Sequence, residues 1–302
     1  MNTSVNIAGV QLKNPIITAS GTCGFMREYE EFYNPSELGG LCLKGLTLFP
    51  RQGNKPPRIA QTPSGILNSV GLQNPGVEVF VKEHLPYLRK FDTKLIANIS
   101  GNTVEEYGQM CKMLSDARID MIELNVSCPN VKAGGIAFGT VPESAAQVTH
   151  EAKKNSSVPV IVKLSPNVTD ITAIAKSVEQ AGADAISLIN TILGMRIDIA
   201  TRRPVLNNNY GGLSGPAVFP VAVRMINQVK NATNIPIIGM GGVADGQDAY
   251  EMMLAGATAV AVGTAAFYDV QAPVRIKKEL EKTAKEMKIE NICDIINRVR
   301  LN

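Results

Sequence analysis

Polar residues of a few types interrupt or end a series of short apolar runs. Ser20 closes PIITAS, Lys44 lies inside LCLKGLTL, Asn98 inside KLIANIS, Asn125 inside MIELNVS and Lys163 inside PVIVKLS. Asn190 and Thr191 end AISLINT, Gly241 and Gly242 end PIIGMGG, and Gly263 and Thr264 fall in AVAVGTA. A single lysine at a strand end snorkels to water, and a single asparagine serves a turn or a cap. Two lysines within apolar runs are different, because burying an ammonium without an anionic partner is costly. Glu123 shares a strand face with Asn125 and can neutralise one of them. An anionic ligand is the natural partner for the other.

Neutral amides offer both donors and acceptors. Asn68, Asn98, Asn125 and Asn190 together suit a ring edge that alternates C=O and N–H, as pyrimidines and flavins do. PIIGMGGVADG carries Gly239, Gly241 and Ala244 in a G-x-G-x-x-A pattern. It is weak as a dinucleotide fingerprint, since AVAVGT lacks the acidic residue expected about 20 positions on. A barrel phosphate site reads better, with the backbone N–H groups of Gly241, Gly242, Gly263 and Thr264 around the anion. The phosphate belongs to a sugar phosphate or to FMN; beside a flavin, Lys163 would stabilise negative charge on the reduced ring. Cys128, in NVSCPNVKAGG, is open at this point as a metal ligand, a redox thiol, a nucleophile or another group. No two of Cys23, Cys42, Cys111, Cys128 and Cys293 form a C-x-x-C pair, so no metal site is expected and the thiols read as reduced.

These residues need elements to gather them. Eight runs read as buried strands, at 15–20, 41–48, 94–100, 121–127, 159–165, 185–191, 236–242 and 259–265. They are continuously apolar, as parallel strands covered on both faces are. Amphipathic helices are expected at 105–118, 143–156, 171–182, 217–233, 245–256 and 274–288, with an earlier one at 81–90 kinked by Pro86. Eight strand–helix units predict an α/β fold, a (β/α)8 TIM barrel, with a doubly wound sheet as the rival. Long connections at 49–76, after strand two, and at 192–215, after strand six, would rise from the C-terminal face as insertions. The whole of 1–302 reads as one domain. Thirty basic against 27 acidic residues, a net charge of +3 and no tryptophan argue against nucleic acid as a partner. The lack of a basic leader with an apolar core, and of any apolar run of about 18 residues, predicts a cytoplasmic protein with no membrane partner.

The stretches KNPIITASGTCGF, KGLTLFPRQGNKPPRIAQTPSGILNSVGLQNPG, NVSCPNVKAGGIAFGT, VKLSPNVTD, INTILGMR, GGLSGPA, IIGMGGV and AVGTA span nearly the whole chain in order. Together they closely resemble dihydroorotate dehydrogenases, specifically the catalytic subunits of class 1B. The resemblance implies one FMN per chain, held at Ser20, Lys44, Gly45, Asn98, Asn125, Lys163, Ile189, Gly215, Gly241, Gly242, Gly263 and Thr264. It implies orotate contacts at Lys44, Asn68, Ser69, Val70, Gly71, Leu72, Asn125, Asn190 and Thr191. It makes Cys128 the base that removes the C5 proton of dihydroorotate while hydride passes from C6 to FMN N5. It also implies an electron-transfer partner subunit carrying FAD and a [2Fe–2S] cluster, which reduces NAD, in an α2β2 heterotetramer around a homodimer of this chain. The fumarate-using class 1A enzymes need no partner; the NVKAGG loop resembles class 1B more. Two rivals are another flavin barrel acting on pyrimidines, such as a dihydropyrimidine dehydrogenase, and a non-redox phosphate-binding barrel.

Overall fold

A computed structural model describes residues 1–126 and 135–300. Eight parallel strands close into a barrel: β1 Ile16–Thr18, β2 Gly40–Cys42, β3 Lys94–Ile99, β4 Met121–Asn125, β5 Val160–Lys163, β6 Ala185–Leu188, β7 Ile237–Met240 and β8 Ala259–Val262. Each pairs with its sequence neighbours, and β8 pairs with β1, so the ring is a (β/α)8 barrel rather than a doubly wound sheet. Nearly every strand residue is buried, because helices cover the outside and side chains fill the inside.

Among the described residues, six helices of ten or more residues follow the strands: α1 Val104–Asp116, α2 Pro142–Asn155, α3 Ile171–Gln180, α4 Phe219–Ala232, α5 Gly246–Ala255 and α6 Ala272–Glu286. Each turns one apolar stripe inward; in α4 it is Ala222, Met225, Ile226 and Val229. Three of the six starts, those of α1, α3 and α5, are capped by side chains. Thr103 accepts from the Glu106 amide, and Asp245 with Asp248 forms a reciprocal capping box on α5.

Three local features differ from the sequence expectations. Strand two ends at Cys42, so Lys44 stands beyond the strand rather than in it. The cause is a break in the ladder: Leu43 and Leu46 bond back to β3 carbonyls, while the Lys44 amide turns to the Gly24 carbonyl. Around Pro86 the helical path starts early, at Val77–Val79, and widens into a π-helical turn over Phe80–His84 before Leu85–Leu88. A proline ring has no N–H and crowds the carbonyl four residues back, which a wider turn relieves. The two long connections are not structureless. Strands Ile59–Thr62 and Gly65–Asn68 from the first join Gly211–Ser214 and Ile192–Gly194 from the second in one four-stranded antiparallel sheet.

Candidate active site

The C-terminal ends of the barrel strands open into a cavity of about 960 Å³, which the antiparallel sheet also walls. That is at the upper end of small-molecule sites and has room for a cofactor with a small substrate beside it. The strand ends supply the polar lining for a geometric reason: in a parallel barrel every C-terminal end points to one mouth.

On the wall formed by β3 to β5, a buried ion pair dominates. Lys163 Nζ stands 3.8 Å from Glu123 Oε1, with side-chain exposures of 6% and 2%. Lys163 also donates to Ser20 Oγ at 3.2 Å, tying β5 to the end of β1. The Asn98 amide donates to Glu123 Oε1 at 2.7 Å. A carboxylate only accepts, so this bond fixes which way round the Asn98 amide lies. Its Oδ1 is buried and without a hydrogen-bond partner among the described residues, against the Cα face of Gly45. The Cys42 thiol donates to the same carboxylate at 3.3 Å, and burial, then the Glu123 charge, push its pKa well above the usual thiol range.

A second polar group joins β4 to β6. Asn190 Nδ2 donates to Asn125 Oδ1 at 3.2 Å, and Asn190 Oδ1 accepts from the Thr191 amide at 2.8 Å. The Asn125 carbonyl is held from behind by the buried Tyr107 hydroxyl at 3.0 Å. Across the cavity, Asn68 stands at the end of its strand opposite Gly212. Val70, Gly71 and Leu72 continue that wall, with Leu72 held at φ +56°.

The remaining wall is backbone. Gly242 has φ +83°, and a Cβ there would lie 2.7 Å from Phe219 Cβ and 2.9 Å from the Gly215 carbonyl oxygen. Gly215 has φ +106°, and its own Cβ would meet the Gly65 Cα at 2.7 Å. Close backbone packing of this kind leaves peptide groups rather than side chains facing the cavity, as a phosphate cradle requires. Thr264 adds a hydroxyl, which donates to Ser214 Oγ at 2.7 Å.

Every position that the resemblance assigns to FMN lines this one cavity. So does every position assigned to the substrate except Ser69. Ser69 is buried behind the wall, where its carbonyl and hydroxyl accept from Asn54 Nδ2. Cys128 lies outside the described residues. The groups present fit an FMN: a glycine-built backbone cradle, a buried lysine, and an asparagine oriented with its carbonyl oxygen unpaired. Cys23 and Cys111 are buried thiols whose pKa values burial raises to about 11 and about 12, as inert thiols require.

Sequence reasoning passed over two members of the site. Ser187 donates to Glu123 Oε2 at 2.6 Å, and the Cys42 thiol, which the sequence marks only as a reduced cysteine, donates to Oε1. Ser187 carried a faint signal, as the one hydroxyl in the apolar run AISL.

A family model described as dihydroorotate dehydrogenase matches residues 2–284. The chain belongs to the dihydroorotate dehydrogenase family. It is 56% identical over 298 residues to a protein of Alkaliphilus oremlandii named dihydroorotate dehydrogenase B (NAD(+)), catalytic subunit, with 99% of each chain covered. Proteins of the same name from Geobacillus kaustophilus and Alkaliphilus metalliredigens are 54% and 53% identical, over 98% of this chain and 95% and 98% of their own.

Proposed function

We propose that this chain oxidises (S)-dihydroorotate to orotate in pyrimidine biosynthesis, as the NAD-linked, class 1B type of dihydroorotate dehydrogenase. The observation that carries the reading is the convergence of the family's cofactor and substrate positions on one cavity, around a buried lysine–glutamate pair. One domain across 1–302 is the proposed unit, working in the cytoplasm.

FMN is the proposed cofactor, and when bound it supplies two-electron redox chemistry. Gly241, Gly242, Gly263 and Thr264 would hold its phosphate through backbone N–H groups. Lys163, Asn98, Ser20 and Gly45 would hold the ring, with Ile189 and Gly215 beside it. Lys44 supplies positive charge for the orotate carboxylate. Asn68, Asn125, Asn190 and Thr191 match the alternating donors and acceptors of the pyrimidine edge, and Val70 to Leu72 close the wall against water. Cys128 is the proposed base for the C5 proton. Such a base contributes about 10² to 10⁴ in rate.

Electrons must leave for a second protein or a small soluble oxidant. Among the described residues no three metal-ligating side chains cluster, and no helix is long and apolar enough to cross a membrane. The proposed acceptor is a partner subunit with FAD and [2Fe–2S], in an α2β2 assembly around a homodimer of this chain. The test is direct. The purified chain should show a flavin spectrum, which dihydroorotate bleaches under anaerobic conditions and dihydrouracil does not. NAD reduction should need the co-expressed partner. A colourless preparation that stays inert toward dihydroorotate after FMN is added back refutes the reading.

A further inference from the structure

Beneath the cavity lies a carboxylate that pairs with Lys163 and has no place among the flavin and substrate contacts assigned above. Glu123 of β4 accepts hydrogen bonds from three other strands and pairs with an ammonium from a fourth. The partners are Cys42 of β2 at 3.3 Å, Asn98 of β3 at 2.7 Å, Ser187 of β6 at 2.6 Å and the Lys163 ammonium of β5 at 3.8 Å. All four are donors or cations, and a carboxylate offers them only acceptors. Two of the four, Asn98 and Lys163, line the cavity; Cys42 and Ser187 do not. The carboxylate therefore grips the two cavity-facing groups from behind and is braced by two groups that never meet a ligand.

The charges on this wall have a consequence for any redox ring seated there. A cation beside a ring favours its electron-rich reduced form. A carboxylate 3.8 Å from that cation cancels part of its field, and little water intervenes at such burial. Among the described residues, the other charged side chains lining the same cavity are Lys44, Asp269 and Arg275, and the Cys42 thiol shares the Glu123 carboxylate; Ser20 and Ser187 are neutral.

We propose that Glu123 is a positioning residue which offsets the Lys163 charge and thereby sets how readily the bound flavin is reduced. The inference rests on the flavin reading of the site. Glu123→Gln isolates the charge. Its carbonyl oxygen can keep the Asn98 and Cys42 bonds, and its amide can donate to the Ser187 hydroxyl, which accepts as well as donates.

The experiment is an anaerobic spectroelectrochemical titration of bound FMN. Glu123→Gln is expected to bind reduced FMN over oxidised FMN about tenfold more favourably than the parent, a positive shift of roughly 30 mV for a two-electron couple. Ser187→Ala removes a bond to the same carboxylate but no charge, so it should lower thermal stability and leave the potential in place. An unchanged or more negative potential in Glu123→Gln, or an equal shift in both variants, overturns the proposal. The double variant Glu123→Gln with Asn98→Asp is a second probe should the single variant not fold. It keeps the charge and moves it toward the cavity, so its potential should fall at or below the parent's, and a positive shift there overturns the proposal equally. A parent protein that takes up no FMN would overturn the flavin reading and this inference together; bound FMN with the wrong shift overturns this inference alone.

Discussion

Gly21 and Gly242 both line the cavity and have almost the same backbone, φ +82° and +83°. Their surroundings differ. A Cβ added at Gly21 has nothing within 4 Å, whereas one at Gly242 meets Phe219 Cβ at 2.7 Å and the Phe219 nitrogen and Gly215 oxygen at 2.9 Å. Two of those three atoms are backbone, at the start of α4 and in the adjoining turn, and cannot swing aside. Alanine in a left-handed conformation costs about 1–2 kcal/mol, and this term is common to both positions. Overpacking adds about 1–3 kcal/mol at Gly242 alone. Gly242→Ala should therefore be less stable than Gly21→Ala by about 1–3 kcal/mol. Urea unfolding of the two FMN-free variants, at equal m-values, measures that difference as a lower midpoint for Gly242→Ala. The displaced backbone is also the proposed phosphate cradle, so fluorescence titration should show weaker FMN binding in Gly242→Ala than in Gly21→Ala. Equal midpoints and equal affinities would refute the close-packed cradle.

Cys128→Ala should keep the yellow colour and orotate binding while turnover falls about 10² to 10⁴-fold; near-normal turnover in a stopped-flow reductive half-reaction would remove Cys128 from the mechanism. Alkaline stability follows from Cys23, whose thiol burial pushes from its ordinary value of 9.0 up to about 11. The unfolded chain releases this proton first, so the contribution is intact below pH 9 and is lost as pH rises toward 11, to the extent of about 3 kcal/mol. Chemical unfolding from pH 8 to 11 should show that decline, and Cys23→Ala should decline less steeply. A slope that is the same in both proteins contradicts the burial of this thiol.

Much of the barrel was legible because its determinants are local. Continuous apolar runs such as VIVK and AVAV mark strands covered on both faces, and the polar residue at each end marks the mouth. That Glu123 would neutralise one of the two lysines was legible for the same reason, since alternation along β4 places Glu123 and Asn125 on one face; that its partner is Lys163 came only from the structure. The antiparallel sheet was not. It joins Gly65–Asn68 to Gly211–Ser214, and strands that short carry no pattern naming so distant a partner. The position of Lys44 beyond β2 was hidden too, because it depends on the Gly24 carbonyl capturing the Lys44 amide.

The sequence by itself determined the α/β order, the strand-end residues and the membership of the family, because periodicity, composition and motif spacing are properties of the chain read in one dimension. Only the tertiary structure decided that Cys42 and Ser187 brace Glu123, that Ser69 stands behind the wall, and that Gly242 presses on Gly215. Those facts depend on barrel closure and strand register, which bring atoms from remote segments within hydrogen-bond or van der Waals distance and which no short window of residues encodes.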